Sequence, residues 1–445
     1  INADLTVGVD VAGCSCLLAN DGLSSRGVSL HGAGFIVTPS AAEALGLGRR
    51  VGLEKHIRIY RNGRDLMSRP RGVMVIDLFG LRAEEVRDRF PEVYQHLLSS
   101  VKVERAKQAD RSPTKDAQQY LRDWWLFGKP RQELRPALAN LGRYIATVET
   151  AKHRVFQFLD ADVLPDNMLV AIGSDDAYVL GVLSSSLHVV WALRAGGWLG
   201  VGNDPRYSKS RCFDPFPFPA ADDLQKHRIR QISERLDAHR KRVLAEHEHL
   251  TLTGLYNVLE KLRAGTAPGS LDPADRRIFD DGLVGILHED HAKLDEAVAA
   301  AYGWPANLSD SEILTRLVAL NKARAQEEVL GKIRWLRPDY QVPRFGTAGN
   351  TSQLDLGGGA MRASPEPSAG GAKDAFPTGD LGQTAAVMAS LVRAAGPVSS
   401  TAIAAKFRQG RRVLPQIEAV LAALVWDGWV SQTEGGAGFV LRKAA

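Results

Sequence analysis

Cysteine is scarce. Only Cys14, Cys16 and Cys212 occur, an odd number with no C-x-x-C pair, which excludes both a disulfide framework and a zinc site built on paired thiolates. Long apolar runs are also missing: stretches such as Ala297–Tyr302 and Ala419–Trp426 fall far short of the roughly 20 residues that a membrane-spanning helix needs. The opening Ile1-Asn2-Ala3-Asp4 has no Met, no basic region and no apolar segment before a small-residue cleavage site, so a secretory leader is not expected and a missing N-terminal portion is. Together these absences predict a cytoplasmic protein without a membrane partner. No nucleophile elbow, phosphate loop or paired-carboxylate motif occurs either, which leaves a free-standing hydrolase without support.

What remains is ordinary in bulk. The 445 residues are 44% hydrophobic and 24% charged, enough for sizeable cores in two to four domains. The net charge of +5 and the pI near 9.0 are compatible with an anionic polymer as partner, but over this length only local clustering carries weight.

Pattern changes along the chain predict its organisation. Asp21 to Ala41 reads as a glycine-containing flexible loop feeding a short strand at Phe35-Ile36-Val37. The alternation in Ile57–Arg61 and the apolar run Val73–Phe79 predict strands flanking an Asn62-Gly63 turn. Helical spacing in Arg82–Lys107, interrupted near Pro91, predicts one or two helices, and a short helix is expected in Arg131–Leu141. Arg143–Phe218 alternates apolar segments with turns, the pattern of an α+β domain. It closes on Phe213-Asp214-Pro215-Phe216-Pro217-Phe218-Pro219, where three prolines forbid a helix. Helical periodicity then runs from Asp222 to Leu330. Residues 343–380 turn to Gly, Ser, Pro, Thr and Ala and predict a disordered linker. From Thr384, three helical stretches and two short strands form a winged-helix pattern.

Several ordered strings carry a resemblance. Asn20-Asp21-Gly22-Leu23-Ser24-Ser25-Arg26-Gly27, Gly34-Phe35-Ile36-Val37-Thr38-Pro39, Asn62-Gly63-Arg64-Asp65-Leu66 and Trp124-Trp125-Leu126 come first. Arg143–Thr147, Lys152-His153-Arg154-Val155-Phe156, Gly181–His188, Trp191 and Cys212–Pro219 follow. In this order they resemble the large single-chain type II restriction-modification DNA adenine methyltransferases, over roughly residues 10–345. The resemblance implies a remnant of a catalytic-domain junction at 1–20, a mixed α/β DNA target recognition domain at 21–219 and an all-α helical domain at 220–342. With the disordered linker at 343–380 and the small winged-helix domain at 381–445 read from composition and pattern, the chain is expected to be α+β in five parts. Two family motifs are not found in the sequence, the glycine-rich loop for the methyl donor and the Asn-Pro-Pro-aromatic motif that holds the flipped adenine. Asn203-Asp204-Pro205-Arg206 is the nearest string, with one proline and no aromatic. The resemblance therefore implies S-adenosylmethionine for a complete enzyme, no cofactor, metal or catalytic residue in this chain, and two partners: double-stranded DNA and a methyltransferase catalytic domain or subunit.

Methylating a base in a duplex requires extruding it, and hence a protein that grips phosphates and reads base edges. Three clusters are candidates. Ser24, Ser25 and Arg26 sit in a glycine-flanked string, where amides and short hydroxyls can approach a phosphate. Lys152, His153 and Arg154 are consecutive donors at a strand entrance. Asn203, Arg206, Tyr207, Lys209 and Arg211 form a basic loop with an embedded aromatic, and Asn and Arg are the side chains that read adenine and guanine bidentately. Each has a bland alternative as a turn or solvated charge. The basic Lys226–Arg242 segment reads first as a charged helix face. Trp124, Trp125, Trp191, Phe213, Phe216 and Phe218 read as core, and His288-Glu289-Asp290-His291 as exposed helix polarity without metal spacing. Arg408, Arg411 and Arg412 precede the third helix of the tail, where a recognition helix would meet DNA. The alternative is a non-enzymatic DNA-binding or scaffold subunit of a phage-defence system.

Overall fold

A computed structural model of the chain describes residues 9–199, 204–346, 376–377, 380–392, 397–426, 430–433 and 438–441. It comprises two compact units, Ile1–Asp355 and Leu356–Ala445. The first unit is α+β, as expected. No single described helix is long and apolar enough to cross a membrane.

Two four-stranded sheets organise the first unit. One has the order β1 (Ser24–Arg26), β8 (Leu169–Ile172), β5 (Arg143–Val148), β6 (Phe156–Asp160), with every pair antiparallel. The other has the order β2 (Ile36–Val37), β4 (Met74–Ile76), β3 (Ile57–Arg61), β7 (Val163–Pro165), with β3 and β7 parallel. β3 was legible from its alternation and β4 from its apolar run, but the residues between them make no simple hairpin. Asn62 caps a short helix instead: its side chain accepts from the Asp65 amide while the Asp65 carboxylate accepts from the Asn62 amide, a capping box. Around this second sheet lie α1 (Pro39–Ala44), α2 (Gly63–Met67), α3 (Ala83–Arg89), α4 (Pro91–Ser99), α5 (Val101–Arg111) and α6 (Lys115–Arg122). Pro91 takes the first position of α4, where its missing amide costs no hydrogen bond. Trp124, Phe127 and Phe35 fill the core here.

The first sheet carries α7 (Leu134–Leu138) on one face, and on the other a continuous apolar core shared with the helices that follow. α8 (Ala177–Ser184) is buried throughout, and α9 (Ser186–Gly196) turns from it by 64° at Ser185. α10 (Asp223–Glu246), α11 (Leu252–Arg263), α12 (Pro273–Asp281), α13 (Val284–Tyr302), α14 (Asp310–Val329) and α15 (Pro338–Phe345) complete the unit. α10 and α14 start at the capping boxes Asp222/Gln225 and Ser309/Glu312. No gap in burial falls at residue 219: Phe156, Phe158, Ile229, Leu236, Leu255 and Leu294 belong to one cluster. Arg240, 1% exposed, fastens the two parts, donating from Nη2 to the Phe156 carbonyl at 2.8 Å and from Nη1 to the Tyr256 hydroxyl at 3.0 Å.

The proline-phenylalanine run is extended, as its prolines require, and a chain without amide donors leaves buried carbonyls to satisfy. Asn20 does much of this: its Nδ2 lies 3.0, 3.0 and 2.8 Å from the carbonyls of Phe213, Asp214 and Phe216. Asn321 adds Pro215 at 2.6 Å and Ser15 at 2.8 Å. Residues 15–20 are thereby bound to both the run and α14.

The expected linker begins too early at 343. Pro343 to Phe345 are helical within α15, and Gln341 on the same helix donates to the carbonyls of Ala19 and Asp21 at 3.0 and 2.9 Å. Residues 347–375 of that expectation lie outside the described ones. Phe376 is already buried in the core of the second unit. There, α16 (Asp380–Val392), α17 (Ser400–Ala404) and α18 (Leu414–Trp426) precede the antiparallel pair β11 (Val430–Gln432) and β12 (Phe439–Leu441), with Val398 bridged to Phe439. Val387, Ile403, Ile417, Leu421 and Val430 form its core.

Candidate nucleic-acid interface

The three clusters read from the sequence fare differently. Ser24 and Ser25 are buried in β1, paired with Ile172 and Ala171, not displayed on a loop. The Ser25 hydroxyl lies 3.1 Å from Glu133 Oε1, and Ser24 Oγ has no hydrogen-bond partner. Their hydroxyls therefore cannot meet a phosphate, a correction that follows from β1 being an edge strand closed over by the rest of the unit. Arg26, the last residue of β1, does reach solvent. Gly27 follows because a Cβ there would collide with the carbonyls of Pro165 and Asp166.

Lys152 and His153 share one acceptor, Asn257 Oδ1, at 2.7 and 2.8 Å. They line a cavity of about 320 Å³ with Tyr256, Leu259 and Arg263. Arg154 points inward: 7% exposed, it bonds to the carbonyls of Val148 and Pro205 and lies over the Tyr207 ring. Burial pushes its pKa down to about 10, so it stays charged at neutral pH as an internal brace. Arg154 is thus removed from the contact set.

The basic loop is likewise divided. Asn203 lies outside the described residues. After β9 (Trp198–Leu199), β10 (Asp204–Pro205) pairs back antiparallel, and Arg206 is bridged to Thr150. This approach requires glycine at 196, since a Cβ there would meet the Arg206 carbonyl. Tyr207 is fully buried, its hydroxyl 3.0 Å from His188 Nε2. It cannot stack on a base. Lys209 is paired with Asp214 at 3.0 Å, whose carboxyl burial pushes upward and Lys209 pulls back. Arg211 is exposed.

One residue missed in the sequence joins these pieces. Glu149 carries a carboxylate only 6% exposed, and both Arg26 and Arg206 bind it, Arg206 through Nε at 2.8 Å and Nη2 at 2.7 Å. Its backbone is fixed as firmly, with its amide donating to the Met168 carbonyl at 2.7 Å and its carbonyl accepting from the Tyr207 amide at 2.6 Å. Arg26 donates from Nε to the Asn167 carbonyl at 3.1 Å. Two arginines distant in sequence therefore sit side by side, 36% and 44% exposed, around one buried carboxylate. The only hint in the sequence was an acid standing before the basic string Lys152-His153-Arg154.

The other suspected features are structural. Trp124, Trp191, Phe213, Phe216 and Phe218 are buried, as expected. His288–His291 is not simply exposed polarity. His291 is buried against the Tyr256 hydroxyl at 2.9 Å, and the buried Asp290 meets Arg235. Among the described residues no cluster of His, Cys, Asp and Glu is arranged for a metal ion. On α10, Arg228, Arg230 and Arg235 pair with Glu296, Asp176 and Asp290, the charged helix face expected. Arg408, Arg411 and Arg412 are exposed before α18. Asp204-Pro205-Arg206 does not fit the role of a base-holding catalytic loop: the Pro205 carbonyl is taken by Arg154 and the guanidinium by Glu149.

The unit is thus an α+β body whose antiparallel sheet shares a core with long helices and carries two solvent-reaching arginines at the sheet edge. The family described as MmeI, target recognition domain, matches residues 31–220. DNA methyltransferase A of Bacillus subtilis (strain 168) is 32% identical over 161 residues, 36% of this chain and 15% of that protein. A solved structure of the type IIL restriction-modification enzyme MmeI in complex with DNA is similar in fold, with a TM-score of 0.54 and 20% identity over 73% of this chain and 39% of that one. Residues 31–220 therefore carry a target recognition domain of the MmeI kind. The chain spans only a minor part of the length of either relative.

Proposed function

We propose that this chain is the DNA-recognising portion of a site-specific adenine-N6 methyltransferase of a restriction-modification system, working with a catalytic domain or subunit that binds S-adenosylmethionine. The observation that carries this reading is the Arg26–Glu149–Arg206 cluster, whose two arginines reach solvent; Glu149 and Arg206 lie within the matched residues 31–220, and Arg26 stands just before them. The matched family and the similar structure support duplex DNA as the ligand. Of the residues expected from the sequence, Arg26, Lys152, His153, Arg206, Lys209 and Arg211 keep a position from which DNA can be touched. Methyl transfer is assigned to the partner, and no step through the methyl donor is derived from residues here. The parts from 21 to 219 and from 220 to 342 then act as one recognition body, with 1–20 as the junction towards catalysis, in a cytoplasmic protein.

A second reading, a scaffold subunit of a defence system, is favoured by the second unit alone. Its order of three helices and two antiparallel strands, with exposed arginines before α18, is that of a winged helix, a fold that serves DNA and protein partners alike. Two measurements separate the readings. Fluorescence polarisation with duplex DNA across a salt series should give an affinity that falls steeply with salt. Adding a methyltransferase catalytic core in trans should then restore methylation. Binding without any rescue favours the scaffold, and no binding at any salt rejects both.

A further inference from the structure

The recognition reading leaves open which DNA atoms the paired arginines meet, and the carboxylate between them bears on this. Glu149 takes Nη2 of Arg26 and both Nε and Nη2 of Arg206, while Asn167 takes Nε of Arg26. Each guanidinium thus keeps its Nη1 group without a hydrogen-bond partner among the described residues; Arg26 is held by two hydrogen bonds, and Arg206 by one hydrogen bond and a further ion-pair contact to the same Glu149 Oε1. The cost of ordering a long arginine side chain is therefore met in the folded protein, before any ligand arrives.

The charge balance argues further. A buried carboxylate behind two guanidiniums lowers the local charge from two positive to one and places a fixed negative charge close to any bound group. The carboxylate weakens the pull of the two guanidiniums on a phosphodiester, which carries a full negative charge, more than on a neutral base edge, and the acceptor pair O6 and N7 of guanine is the one that arginine matches in the major groove. Holding the fork steady also matters far more for reading a base edge than for gripping a phosphate, where a point charge suffices.

Resting on the recognition reading, we infer that Arg26 and Arg206 read guanine in the major groove and that Glu149 is the positioning residue that presents them. Phosphate contacts fall instead to cations such as Lys152 and Arg211.

The test uses the full chain and the duplex site it enriches from a randomised pool. Arg206→Ala should weaken binding to that site by about ten- to a hundredfold, relax the preference at one guanine, and leave the salt slope unchanged. Arg206→Lys, which keeps the charge and loses the fork, should do nearly the same. Replacing that guanine by 7-deazaguanine should weaken the unaltered protein and have little further effect on Arg206→Ala. Glu149→Gln should broaden the selected site and strengthen binding to random duplex. If Arg206→Ala instead flattens the salt slope by about one unit and weakens every sequence equally, the arginine is a phosphate clamp and the inference fails while the recognition reading stands. If the unaltered chain binds no duplex, the recognition reading falls and takes this inference with it.

Discussion

The α10 helix and the β1–β10 corner look alike as sequence, both dense in arginine and lysine, yet they handle charge in opposite ways. Along α10, Arg228, Arg230 and Arg235 each meet a carboxylate of their own, on Glu296, Asp176 and Asp290, while Arg240 is buried as a fastener. At the corner, two arginines share the single carboxylate of Glu149. The first arrangement neutralises; the second leaves an oriented positive surplus. Partner stoichiometry, which no count of Lys and Arg in a window reveals, separates a structural basic stretch from a binding one.

The strongest way to break this comparison is to treat α10 as a binding helix. Arg240→Ala is expected to lower stability by about 3–5 kcal/mol, because the Phe156 carbonyl and the Tyr256 hydroxyl lose a buried charged donor. Urea unfolding followed by circular dichroism reads this. A variant that kept its unfolding midpoint yet lost DNA affinity would place Arg240 on the wrong side of the comparison.

Acid should loosen both regions, since each rests on a buried neutral histidine. Burial pushes the pKa of His188, under the corner, from 6.5 down to about 3, and that of His291, beside α11, well below 6.5. An unfolded chain would protonate both near the ordinary value, so the unfolded state binds more protons below it. Stability is then complete above pH 6.5 and falls as pH drops towards 3, by about 2 kcal/mol at pH 5 for His188, with His291 acting in the same direction. Unfolding midpoints measured from pH 8 to pH 4 check this, and His188→Phe should flatten part of the slope. A midpoint unchanged down to pH 4 would mean that these rings protonate in place.

At the small end, Arg230→Ala removes a half-exposed pair with Asp176 and should change stability by less than about 1 kcal/mol. The salt dependence of DNA binding should not move. A slope that flattened by about one unit would return α10 to the interface.

Much of the fold was legible because its signals are local. Alternation marked β3, helical periodicity marked the helices from Asp222 onward, and the prolines of 215–219 allowed only an extended chain. The site was legible only in part. Arg26 and Arg206 could be named from their strings, but Ser24, Ser25, Arg154 and Tyr207 were named with them, and burial decides between the two sets. Burial of these residues is set by β1 inserting beside β8 and by the 204–207 segment folding back on Thr150, pairings between residues more than fifty positions apart. Glu149 was invisible for the same reason, since its role exists only when β1 and β10 converge on it.

The account turns on whether this chain selects a DNA sequence by itself. Repeated rounds of binding to a randomised duplex pool, followed by sequencing, measure that directly. The account predicts a short enriched motif containing guanine, which Arg206→Ala blurs at one position. A pool recovered with no enriched motif, despite tight binding, would contradict it.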